Sequence, residues 1–149
     1  MREAINDALK TAMKAQDRTR MATLRLVSCA IKDRDIEARS HGRDGVTDEE
    51  ILGVLAKMIR QREESSTMYE EAGRLDLASQ ERAEIGIIRS FLPQQMADDE
   101  VAVACREVVG EVNAQGLRDM GRCMGALKAR YPGRMDFSRA SAVVKDMLK

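Results

Sequence analysis

Apolar residues recur at steps of three and four along almost the whole chain, and this spacing constrains the fold before any motif is considered. In residues 3–16, Ile5, Ala8, Leu9, Ala12 and Met13 share one face of a helix. Residues 18–39 carry two such rows: Met21, Leu24, Val27, Ile31 and Ala38 on one side, and Ala22, Leu26, Cys29, Ala30 and Ile36 on the other. A helix apolar on two sides is expected at the centre of a bundle. Arg25 and Lys32, seven apart, lie on the strip between the rows. The chain has only two prolines and few β-branched runs, so no strand is expected. The expected fold is all-α, with an N-terminal four-helix region containing one long helix and a small C-terminal three-helix bundle.

Local signals place the helix ends. Asp17 can start the second helix, and Ser40-His41-Gly42-Arg43-Asp44-Gly45 reads as a loop. Thr47-Asp48-Glu49-Glu50 is a capping box, in which the threonine oxygen and the glutamate three residues later satisfy free amides reciprocally. The long helix that follows has an apolar half (Ile51, Leu52, Val54, Leu55, Met58, Ile59). From Gln61 to Glu71 it turns polar, with Met68 and Tyr69 left to bury, so that end is expected to project or pack lightly. Gly73 stops it. Asp76 is the expected cap of a fourth helix. Proline disfavours a helical Leu92, so Phe91-Leu92-Pro93 marks a boundary between domains 1–92 and 93–149. Asp98 is the expected cap of a fifth helix and Asp136 of the last, with Asn113-Ala114-Gln115-Gly116 as a turn.

Charge is balanced overall, but its distribution is uneven. Residues 93–117 carry 1 basic and 5 acidic side chains, whereas residues 118–149 carry 8 and 3, a net of +5. The three cysteines are widely spaced, which suits reduced, mostly buried thiols. No apolar signal core and no stretch of about 20 apolar residues is present, so neither membrane nor export is expected and the cytoplasm is the expected compartment. His41, the one histidine, lies in a predicted loop without an orienting partner, so no nucleophile–histidine triad can form. Zinc-ligand spacing, phosphate-cradling loops and dinucleotide fingerprints are missing. Glu63-Glu64 and Glu70-Glu71 point about 100° apart on a helix and form no shared-proton pair. No catalytic residue, metal or cofactor is expected, and the chain by itself reads as non-catalytic.

The strongest functional hint is Leu117-Arg118-Asp119-Met120-Gly121-Arg122-Cys123-Met124-Gly125-Ala126-Leu127-Lys128. Read as a helix, it places Leu117, Met120, Met124, Leu127 and Tyr131 on one side. Gly121, Gly125 and Ala129 form a second, small-residue row, with Arg118, Arg122 and Lys128 along or beside it. Each interior glycine costs about 1 kcal/mol against alanine, so close approach of another backbone is the expected reason for two of them. That backbone is either a neighbouring helix of the bundle or nucleic acid. Four scattered aromatics offer no base-stacking platform, which leaves phosphate contact with a folded RNA as the compatible mode.

Five segments in order resemble the GatB/YqeY family nearly end to end. They are Arg20-Met21-Ala22-Thr23-Leu24-Arg25-Leu26 with Ile31-Lys32; Arg60-Gln61-Arg62-Glu63-Glu64-Ser65; Tyr69-Glu70-Glu71-Ala72-Gly73-Arg74-Leu75-Asp76-Leu77-Ala78; Phe91-Leu92-Pro93-Gln94-Gln95-Met96; and residues 119–128. The resemblance implies an all-helical protein whose C-terminal part is similar to the tail of the B subunit of the glutamine-dependent tRNA amidotransferase. That enzyme amidates misacylated Glu-tRNA(Gln) or Asp-tRNA(Asn), and its tail is implicated in gripping the tRNA. Gly121, Met124, Gly133 and Arg134 fall on the tail's Gly-x-x-Met and Gly-Lys positions, while Cys123 replaces an aliphatic residue. The subunit's kinase-like domain, which handles ATP and magnesium, has no counterpart here. Carbon–nitrogen ligase activity with glutamine as amido donor is therefore implied by family resemblance alone.

The expected function is that of a tRNA-binding or tRNA-associated accessory protein. Arg118, Arg122, Lys128, Arg130 and Arg134 are expected on phosphates, and Gly121 and Gly125 at close backbone approach. The expected partners are tRNA and an amidotransferase or tRNA synthetase; DNA is not. The alternative is a protein–protein adaptor that docks through the long helix and its polar end, with the glycine row internal.

Overall fold

A computed structural model describes residues Met1–Lys149, and it contains seven α-helices, one 3-10 turn and no strand. The chain folds as two compact units, Met1–Leu92 and Pro93–Lys149.

The first unit holds α1 (Arg2–Ala15), α2 (Arg18–Ser40), α3 (Asp48–Glu71) and α4 (Leu75–Arg89). The long α3 pairs most extensively with α4, and α2 packs on α1, α4 and α3. Local chemistry sets the boundaries. The Asp17 carboxylate accepts the Arg20 N–H at 3.1 Å and opens α2. The Thr47–Glu50 capping box opens α3. Past the end of α3, Gly73 takes φ +76°, a left-handed conformation that suits a residue without a Cβ. Ile5, Val27, Ile31, Ile51, Leu55, Ile59 and Ile88 fill the core, with Phe91 and Leu92 packed against it.

Two expectations fail in this unit, and a third, the light packing of the end of α3, takes a definite form. Most of the second apolar row of α2 does not face a neighbour: Leu26 is 50% and Ile36 62% exposed, and Ala22 and Cys29 are exposed as well, while Ala30 packs against the core. The buried positions of α2 are Leu24, Val27 and Ile31 on the first row, and periodicity reports which faces could be buried, not which are. The polar end of α3 does not hang free. Arg62 donates to Glu84 at 3.0 Å with both side chains largely buried, Arg89 reaches Glu63 at 3.2 Å, and Arg82 pairs with Glu70. Opposite charges thus replace apolar contact along the α3–α4 hairpin, and Met68 stays 68% exposed. Finally, Asp76 sits in the first turn of α4 instead of capping it; Arg74 holds the cap position and its guanidinium pulls the Asp76 carboxyl below the usual range.

The most tightly bonded polar group of the unit gave no sequence signal. Asp35, 7% exposed, takes both terminal nitrogens of Arg2 at 2.7 and 2.6 Å and the Val46 N–H at 2.9 Å. Arg2 also donates to the Val46 carbonyl at 3.0 Å. This clasp joins the start of α1, the middle of α2 and the loop before α3. It leaves no room at Gly45, where a Cβ would come within 2.9 Å of Asp35 Oδ1.

The second unit is a three-helix bundle of α5 (Asp98–Glu111), α6 (Met120–Arg130) and α7 (Phe137–Leu148), with a 3-10 turn, Leu117–Asp119, leading into α6. Its core is Ala104, Cys105, Val108, Cys123, Leu127, Met135, Ala140, Val144 and Leu148. Asp136 caps α7 by accepting the Ser138 N–H at 2.9 Å. Asp98 does not cap α5. Ala97 occupies that place, and the Glu100 side chain reaches back to its N–H at 3.4 Å. Residues ahead of α5 strap onto the loop before α7: the Met96 N–H meets the Arg134 carbonyl at 2.8 Å and the Gln95 amide the Gly133 carbonyl at 2.7 Å. Cys105 and Cys123 are buried free thiols whose pKa is pushed up by desolvation, whereas Cys29 is exposed.

Candidate nucleic-acid interface

Residues 117–128 do not form one continuous α-helix. The Asp119 carboxylate accepts the Gln115 N–H at 2.8 Å, and the chain turns there before α6 begins at Met120. The buried side of α6 is Cys123 and Leu127, with Met120, Met124 and Tyr131 half-buried beside them. Leu117, expected on the apolar row, is 50% exposed. The mixed 3-10 and α winding rotates it off the row.

Gly121 and Gly125 lie on the solvent side of α6. A Cβ at either would have nothing within 4 Å beyond the helix itself. No element of the bundle approaches them, so internal helix–helix packing does not account for the pair. The small-residue row is an open, exposed strip.

The five expected phosphate contacts divide into two groups. Arg122 donates to Asp119 at 3.2 Å and to the Val112 carbonyl at 2.8 Å, closing the C-terminus of α5. Arg130 pairs with Glu111 across to α5 and holds its carboxyl below the usual range. Arg134 donates to the Gln94 carbonyl at 3.2 Å and lies over the Tyr131 ring, 6.0 Å from its centroid. These three side chains tie the bundle together. Arg118 and Lys128 differ. Arg118 makes no hydrogen bond or ion pair and acts on Asp119 only through space. Lys128 makes only a ring contact, with its ammonium 6.0 Å from the Phe137 centroid. Along the chain, Arg118, Gly121, Gly125 and Lys128 follow at steps of three, four and three, so the two unengaged cations bracket the two open glycines.

No group of three or more His, Cys, Asp or Glu is placed to hold a metal ion, and His41 is an exposed residue at the end of α2. No helix is long and apolar enough to cross a membrane.

A family model described as Yqey-like protein matches residues 2–148. Among curated relatives, the mitochondrial protein "Altered inheritance of mitochondria protein 41" of Kluyveromyces lactis is 34% identical over 117 residues, covering 78% of this chain and 58% of that protein. The protein of the same name from Vanderwaltozyma polyspora is 34% identical over 84 residues, covering 56% and 44%. That from Clavispora lusitaniae is 26% identical over 144 residues, covering 94% and 80%. The chain thus spans about half the length of the first two relatives. The names of these three relatives place them in mitochondria.

Proposed function

The chain belongs to the Yqey-like protein family, and from that premise we propose that it is a tRNA-binding accessory protein related to the glutamine-dependent tRNA amidotransferase. It binds through the second unit and performs no amidation itself. One observation carries the reading: two exposed helix glycines with open space above them, bracketed by Arg118 and Lys128, neither of which makes a hydrogen bond or ion pair. Glycine leaves the helix backbone bare, so a phosphate strand can lie close to it while a guanidinium and an ammonium grip it at either end. The excess of basic residues in 118–149 adds longer-range attraction. Its working compartment is one where tRNA is charged, the cytoplasm or, as the names of its relatives state for them, the mitochondrion.

Arg122, Arg130 and Arg134 hold the bundle in this reading and touch RNA at most secondarily. The adaptor alternative loses ground on the same kind of observation, because Arg62, Glu63 and Glu70 at the polar end of α3 are engaged with α4. The test is retention of tRNA by the full chain carrying Arg118→Glu and Lys128→Glu. Binding is expected to fall at least tenfold, and the dependence of log affinity on log salt to lose about two units of slope. The melting transition should stay in place, since neither side chain supports the fold. Unchanged affinity removes the proposal.

A further inference from the structure

A cleft of about 380 Å³ opens in the first unit between α1 and α2. Helical spacing explains its lining. Ser28, Lys32, Asp35, Ile36 and Arg39 recur at steps of four, three, one and three along α2, and Arg2, Ile5 and Asn6 face them from α1. The charges are unbalanced: Arg2, Lys32 and Arg39 against Asp35 alone, a net of +2. The oxygens of Asp35 are engaged by Arg2 and the Val46 N–H, and its charge reaches Arg39 only through space, so Lys32 and Arg39 leave the cleft positive. Arg39 gives only its Nε, to the Asp44 carbonyl at 3.3 Å. Its terminal nitrogens, the Lys32 ammonium and the Asn6 amide make no hydrogen bond or ion pair within the protein. The Ser28 hydroxyl is shielded from solvent and makes no hydrogen bond. Ile5, Ile31 and Ile36 supply apolar walls, and Ile36 is the 62%-exposed residue that packing within the unit does not explain.

We propose that this cleft binds a small organic phosphate: the phosphoryl group sits on Lys32, Arg39 and Asn6, and the organic part lies against Ile5 and Ile36. The size suits such a ligand, and an apolar flank of Ile5, Ile31 and Ile36 beside convergent polar donors can take both its organic and its phosphoryl part. Charge-assisted hydrogen bonds from Lys32 and Arg39 favour an anion over a neutral polar group. The site is separate from α6 and does not depend on the tRNA reading.

The test titrates the full chain with phenyl phosphate, inorganic phosphate and phenol while following backbone amide resonances. Phenyl phosphate should shift the amides of Asn6, Ser28, Lys32 and Arg39 in the millimolar range or below. It should bind at least threefold more tightly than inorganic phosphate, and phenol should leave these amides unmoved. Lys32→Glu should weaken phenyl phosphate at least tenfold with the melting temperature unchanged, while Lys57→Glu on α3 should not. The proposal is overturned by absent shifts, by equal shifts at cations outside the cleft such as Arg25 and Lys57, or by phenyl phosphate binding the Lys32→Glu chain as well as the parent.

Discussion

Gly45 and the pair Gly121 and Gly125 make opposite use of the same missing side chain. In the first unit, Gly45 sits in an ordinary loop, yet the Asp35 carboxylate stands so close that a Cβ would meet it at 2.9 Å. In the second unit, two glycines interrupt a helix, and nothing in the bundle comes within 4 Å of where their Cβ atoms would be. The costly-looking glycines serve no packing purpose, while the inconspicuous one does. A glycine that the fold needs is answered by an atom of the fold. One that the fold does not need points outward, and here it lies between two cations that make no hydrogen bond or ion pair.

The largest effect expected from this contrast lies on the Gly45 side. Asp35→Ala removes the carboxylate that holds Arg2 and the Val46 N–H. Urea unfolding should show a loss of about 2 kcal/mol, below the roughly 3–5 of a fully buried pair because the Arg2 side chain is partly solvated. The same variant sharpens a pH prediction. The Arg2 hydrogen bonds, and then that from Val46, hold the Asp35 carboxyl well below the usual carboxylate range. A depressed folded-state value means that the stabilisation is complete above the unfolded value, about pH 4, and is lost as pH falls toward the folded value. The parent should therefore lose stability below about pH 4 more steeply than Asp35→Ala does.

The next effect is Gly45→Ala, expected to cost about 1–2 kcal/mol because the clasp must shift to admit the methyl group. In the Asp35→Ala background the same change should cost much less, and that double-mutant cycle isolates the contact. The smallest effect, and of opposite sign, belongs to α6. Gly121→Ala and Gly125→Ala should each raise stability by up to about 1 kcal/mol, since helix propensity improves and no neighbour is displaced. Destabilisation by either would contradict the open-strip description.

Much of the fold was legible because its signals are local. Asp17, the Thr47–Glu50 box, Gly73 and Asp136 act within three or four residues of the ends they define. Asp76 and Asp98 were misplaced by one or two residues, since an acidic residue is equally at home at the cap and in the first turn, where it favours the helix dipole. The two-sided row on α2 was misread because an apolar face is necessary for burial but not sufficient. The proposed site was legible only in outline. Arg118, Lys128 and the glycines could be found from spacing, but separating them from Arg122, Arg130 and Arg134 required knowing that Val112, Glu111 and Gln94 lie opposite. Those partners are 10, 19 and 40 residues away in sequence, as Arg2 and Asp35 are 33 apart. No periodicity encodes such pairings; they exist only once the helices have packed.

The central claim is that the strip over Gly121 and Gly125 is a contact surface for RNA and not a packing surface. The measurement that tests it most directly is tRNA affinity and melting temperature on the same Gly121→Ala, Gly125→Ala chain. The account predicts a protein that melts higher than the parent and binds tRNA at least several-fold more weakly, because two methyl groups keep the phosphate strand off the helix backbone. A chain that melts higher and binds tRNA as tightly as the parent would contradict it.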